Sequence, residues 1–127
     1  MAEDMSFYLK KYGNIIKYAT NYHTDSLVPL LLQNRGEEHK KQAAEIAAAI
    51  ALRNSIKTFD VRTLHRAAFY HTAHLIDKVE EKSNSSLSER EKKHKISRYC
   101  AAIAIRNGLH DDWPVLLKLI KIGAHFV

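Results

Sequence analysis

The chain has 127 residues and a mass of 14.6 kDa, which against a norm of about 150 residues per domain predicts one domain with one core. Hydrophobic residues make up 46% and charged residues 27%, so compositional disorder is excluded, and the single cysteine, Cys100, excludes an internal disulfide framework. No apolar run reaches the roughly 18 residues of a membrane span, and 20 Lys and Arg against 14 Asp and Glu give a net charge of +6, a balance that admits nucleic acid or an acidic protein as partner.

The opening MAEDMSFYLKKYG has neither the apolar block nor the cleavage site of a signal peptide, so the expected location is the cytoplasm or the interior of a host cell. Tyr8, Tyr12, Ile15, Ala19 and Tyr22 then recur at spacings of four and three, which predicts an amphipathic helix over Ser6–Asn21 with Lys10, Lys11 and Lys17 off its apolar stripe. His23-Thr24-Asp25-Ser26 supplies capping residues for a second helix that tolerates Pro29 in its first turn and ends at Gly36. Glu37 and Glu38 favour the positive end of a third helix reaching about Ser55, and its residues Ala43–Leu52 are apolar nearly all round, as in a helix covered on more than one side. Asp60 caps a fourth helix running from Val61 to about Lys82, with Leu64, Ala68, Leu75 and Val79 as its stripe and a break admitted near His71-Thr72. SNSSLS reads as a loop, and Ser88 with Glu91 resembles a capping box that opens a fifth helix. That helix is basic in REKKHKISR and apolar in YCAAIAI, and it ends at Arg106-Asn107-Gly108. A last helix follows Asp111-Asp112-Trp113-Pro114 and stops at Gly123. No strand is predicted. The fold class is all-α: about six helices as three stacked antiparallel hairpins, about 6–36, 37–82 and 88–124, with the third and fifth helices most buried.

AAIALRN at Ala48–Asn54 recurs as AAIAIRN at Ala101–Asn107, differing only at Leu52 against Ile105, and IIKYATN at Ile15–Asn21 reads as a weaker third copy 33 residues before the first of these. Hairpins repeated in this way gain stability by stacking, because none buries its own apolar face alone. Thr63-Leu64-His65-Arg66-Ala67-Ala68, followed by His71, His74-Leu75-Ile76 and Glu81-Lys82-Ser83-Asn84, resembles the ankyrin repeat. Ala104–Gly108 leading into LLKLIKIGAH resembles the second part of the same pattern. The resemblance lacks the proline of the family's first helix and has His71 where the family has a turn glycine. It implies a binding surface for protein partners, presented by turns and inner helices.

Arg66 and His71 have the short Arg-to-His spacing of the all-helical HEPN ribonucleases, a resemblance that implies an arginine for the phosphate and a histidine for proton transfer in RNA cleavage. Arg106 to His110 has the same family's Arg-Asn start but is one residue shorter. His71 with His74, and Glu91 with His94, share helical faces, yet a metal site would need further inward carboxylates and the third helix offers only Glu45. His110-Asp111 resembles a metal-phosphohydrolase dyad, for which helix capping is a sufficient alternative. Cys100 lies in an apolar run and reads as a core residue. No catalytic residue, metal or cofactor is therefore assigned. The candidate binding residues are the basic group Arg90, Lys92, Lys93, Lys95 and Arg98, together with Asp111, Asp112 and Trp113, the last as an apolar anchor. The expected partner is a protein, acidic in one version, bound in the manner of a small adaptor or inhibitor; an RNA-binding or RNA-cleaving protein using Arg66 and His71 is the alternative. Phe126-Val127 could cap the stack or pair two chains, so the oligomeric state is open.

Overall fold

Two alanine-rich runs set the architecture. In a computed structural model, which describes residues 5–35, 37–56, 60–109 and 111–123, seven α-helices are formed: α1 (Met5–Asn21), α2 (Thr24–Gln33), α3 (Lys40–Arg53), α4 (Val61–Phe69), α5 (Thr72–Ser83), α6 (Glu89–Arg106) and α7 (Trp113–Gly123). A single 3-10 turn, Glu37–His39, leads into α3, and no strand occurs among the described residues. Of the predicted features, Gly36, His110, Phe126 and Val127 lie outside the described residues. The third and fifth predicted helices, α3 and α6, lie against each other in the centre, with Ile50 and Ile103 both fully buried. Alanines on both helices allow that close approach, since a methyl side chain takes up little room between neighbouring backbones.

Around this pair, α1, α2 and α7 pack on α3, while α4 and α5 pack on α6; α2 also meets α5. Among the described residues no helix is long and apolar enough to cross a membrane.

Helix ends follow local chemistry. Asp60 Oδ1 accepts the Thr63 N–H at 2.8 Å, and Ser88 Oγ accepts the Glu91 N–H while donating to the Glu91 carboxylate, both at 3.3 Å. The single helix predicted over Val61–Lys82 is two, because Tyr70 and His71 are both extended (ψ 142° and 156°), and this corner lets α4 and α5 each lie on α6. The same break raises the helix count from six to seven. In α1, Tyr12 leaves helical geometry (φ −122°, ψ 22°) and kinks the helix. At the α1–α2 corner His23 occupies the cap position without capping; its ring is turned to Arg53 instead.

α3 and α6 end alike. Ile56 N–H reaches Ala51 O and Ser55 N–H reaches Leu52 O, while Leu109 N–H reaches Ala104 O and Gly108 N–H reaches Ile105 O, with Ser55 (φ 61°) and Gly108 (φ 78°) in the left-handed region. Both are Schellman closures, in which a residue of positive φ lets the chain turn back and satisfy the last carbonyls.

Candidate functional site

The first half of α6 crosses the end of α4, and together they build a basic face. One cavity of about 620 Å³ is lined by Asn54, Arg90, Glu91, Lys93, His94 and Lys95. A second, of about 350 Å³, shares His94 and Lys95 with it and adds Asp60, Arg62, Arg66, Lys82, Arg98 and Tyr99. Asp60 is already committed: one oxygen caps α4 and the other accepts from Arg98, whose Nε also donates to His94 Nε2 at 3.0 Å. Arg66 lies over the Tyr99 ring, 4.6 Å from its centroid, so that a cation is held flat against an aromatic face. Of the five basic residues predicted to act together, Arg90, Lys93, Lys95 and Arg98 line these cavities. Lys92 lines neither of them; it pairs with Glu89 at 3.7 Å and lines a pocket beside Val28 and Pro29 that shares Lys93 with the first cavity. The sequence reading missed Arg62, Arg66 and Lys82 as members of this face, because Arg62 and Arg66 come from α4, far from α6 along the chain, and Lys82 from the end of α5, across the loop that precedes α6. Cations gathered in this way can hold an anion.

Arg66 and His71 line different cavities. His71 meets Arg106, and that contact is one half of a pattern that occurs twice. Arg53 donates to the Ala19 carbonyl and to His23 Nδ1 (3.0 Å), and Asn54 Nδ2 donates to Thr24 Oγ1 (3.0 Å) and Ile50 O (3.0 Å). Arg106 donates to the Ala67 carbonyl (2.8 Å) and to His71 Nδ1 (3.4 Å), and Asn107 Nδ2 donates to Thr72 Oγ1 (3.1 Å) and Ile103 O (2.7 Å). Each Arg-Asn pair thus closes a corner between two helices, α1–α2 in one case and α4–α5 in the other. The signal for this was present in the sequence as the tripeptide Tyr-His-Thr, at Tyr22–Thr24 and again at Tyr70–Thr72. The segment Ile15–Asn21 belongs to the first of these corners, as part of α1, and its counterpart by this bonding is α4.

Trp113 is 1% exposed and donates its indole N–H to Ile56 O at 2.6 Å, so it anchors α7 inside the molecule and presents no surface to a partner. Asp112 accepts from the Tyr12 hydroxyl at 3.0 Å and lies 3.8 Å from Lys11 Nζ. Burial, with the carboxylate beside it, holds the Tyr12 hydroxyl above its ordinary pKa, and hydrogen bonding to Tyr12 raises that of Lys11. Asp111 is exposed next to it. Cys100 is fully buried, and burial pushes its thiol pKa far up, which leaves no thiolate for nucleophilic chemistry. Among the described residues no group of three or more His, Cys, Asp and Glu side chains could hold a metal ion.

Set against models of protein families, against curated proteins and against solved structures, the chain matches none of them.

Proposed function

We propose that the protein is a non-enzymatic interaction module that holds an acidic protein partner on the face built by α4 and the first half of α6. The observation that carries this reading is the pair of adjoining cavities, which gather Arg62, Arg66, Lys82, Arg90, Lys93, Lys95 and Arg98 against Asp60 and Glu91. Cations massed at this density repel one another, and an anionic partner relieves that repulsion while steering itself in from a distance. The ankyrin-like pattern of Thr63–Ala68 points the same way, toward a scaffold whose helices carry a protein-binding surface. A phosphate backbone would answer the same charges, so RNA is the natural competitor in the test.

The test uses poly-glutamate and a single-stranded RNA of equal charge. Wild-type protein is expected to bind poly-glutamate with an affinity that falls steeply with salt, and the double variant Lys93→Glu, Lys95→Glu to lose about tenfold or more at low salt. Lys92→Glu, at a residue that pairs with Glu89 and lines neither cavity, is expected to weaken binding less than the double variant does. Binding that survives the double substitution would remove this face from the function. RNA held far more tightly than poly-glutamate would transfer the reading to nucleic acid, and metal-independent cleavage of that RNA, lost in His71→Ala, would overturn the non-enzymatic part.

A further inference from the structure

The two cavities of the basic face differ in how their charge is arranged. Five cationic side chains, Arg62, Arg66, Lys82, Lys95 and Arg98, line the second one, of about 350 Å³, against the single carboxylate of Asp60. They arrive from α4, α5 and α6, so their convergence is made by the fold and not by one charged run of sequence. Asp60 cannot neutralise them, because one of its oxygens caps α4 and the other is held by Arg98. Among the described residues no carboxylate stands within ion-pair distance of Arg62, Arg66 or Lys95, and Lys82 reaches only Glu81, at 3.7 Å. Arg66 is fixed all the same. The Tyr99 ring holds its guanidinium at 4.6 Å, while no oxygen among the described residues accepts from its N–H groups. A guanidinium positioned by a ring and free of acceptors is an oriented fork of donors.

The concentration of this charge points to the kind of anion. A carboxylate brings one charge and two oxygens, which a single guanidinium satisfies, whereas a phosphate monoester brings a charge of about −1.5 to −2 and three acceptor oxygens. Several cations without carboxylate partners around one concavity suit the monoester. A phosphodiester strand spreads one charge per nucleotide along an extended backbone, and its match is a stripe of cations rather than a concave cluster. The first cavity, which shares His94 and Lys95 with the second, is the less charged of the two, with Arg90, Lys93 and Lys95 against Glu91. We infer that the partner is a phosphoprotein: a phosphorylated side chain enters the second cavity, where Arg62, Arg66, Lys82 and Lys95 hold its phosphate, and neighbouring carboxylates lie along the first. This inference rests on the acidic-partner reading above and names the group that such a partner presents.

The experiment measures fluorescence anisotropy of three labelled peptides with the full-length protein at about 0.15 M salt. One is an acidic peptide with a central phosphoserine, one has serine in its place, and one has the charge of the first made up with glutamate. The phosphopeptide is expected to bind at least about tenfold more tightly than the serine peptide and at least about threefold more tightly than the equal-charge one. Arg66→Lys keeps the charge but loses the planar fork, so it should erase the preference over the equal-charge peptide. Arg62→Gln, at an exposed site that leaves the core intact, should weaken phosphopeptide binding at least about fivefold and reads the same cavity if the first variant is unstable. Equal affinity for the phosphoserine and equal-charge peptides, or a preference that survives both variants, would overturn the inference. Inorganic phosphate or a mononucleotide that competes at the phosphopeptide's own concentration would overturn it by giving the cavity to a free anion, and RNA of equal charge bound more tightly would give it to nucleic acid. The acidic-partner reading falls on a different result, poly-glutamate binding that survives Lys93→Glu with Lys95→Glu, whereas poly-glutamate bound by this face with no preference for phosphoserine fails this inference alone.

Discussion

The α1–α2 corner and the α4–α5 corner share their hydrogen bonds, their Tyr-His-Thr tripeptide and the Schellman ending of the helix that clamps them. They differ in what lies on top. The first is roofed by α7, and the second leaves Val61 81% and Leu64 49% exposed. One bonding scheme thus serves two purposes, closing the core in one half and presenting an apolar surface in the other. The lesson is that the clamp sets the angle between helices, while the cover is a separate choice made by whichever helix has the apolar stripe to fill the space.

The strongest way to break the comparison is to remove the cover. Trp113→Ala deletes a fully buried side chain and its hydrogen bond to Ile56 O, and is expected to cost about 3–5 kcal/mol in chemical denaturation. Native-state hydrogen exchange should then speed up in α1 and the last turn of α3 well before α4 and α5 respond. Uniform acceleration across both corners would mean that the halves open as one unit and that the difference in cover carries no local stability.

A smaller effect comes from the clamps. Arg53→Ala and Arg106→Ala each leave a helix-end carbonyl, Ala19 O or Ala67 O, without its donor, for an expected loss of about 1–3 kcal/mol. The loss should be somewhat larger at Arg53, because Ala19 is fully buried and its corner lies beside Ile120 of α7, whereas Ala67 is 6% exposed and has no such neighbour among the residues lining its corner cavity. Equal losses would show that α7 does not exclude water there.

The central pair was legible in the sequence because AAIALRN and AAIAIRN leave no polar face: a helix apolar all round has to be central, whatever its neighbours are. Asp60 and Ser88 were legible as caps because capping is a contact over three residues. Other features depended on contacts between residues far apart in the chain. The role of Arg53 is set by a carbonyl 34 residues earlier, and the basic face needs Arg62 and Arg66 of α4 folded over Lys95 and Arg98 of α6. Trp113 looked like a surface anchor beside two aspartates, since nothing local indicates that Ile56 O lies within reach of its indole nitrogen.

The smallest expected effect tests whether the two Schellman turns are equivalent. Ser55 and Gly108 occupy the same position after Asn54 and Asn107, and both have positive φ, but only one of them is glycine. A β-carbon in the left-handed region crowds the following carbonyl, at a cost of about 1 kcal/mol that glycine escapes. Glycine in turn loses more entropy on folding, about 0.5–1 kcal/mol, so Ser55→Gly is expected to stabilise the protein by at most about 0.5 kcal/mol. Gly108→Ala should destabilise it by a similar amount. A Cβ built on Gly108 would meet nothing within 4 Å, so any loss there is conformational and owes nothing to a clash. Thermal unfolding of both variants and of the double mutant checks this, and near-cancellation in the double is the expected outcome for independent sites. A neutral Ser55→Gly beside a costly Gly108→Ala would mean that the first turn is held by its cover rather than by its own backbone, which would extend the difference between the halves down to the turns themselves.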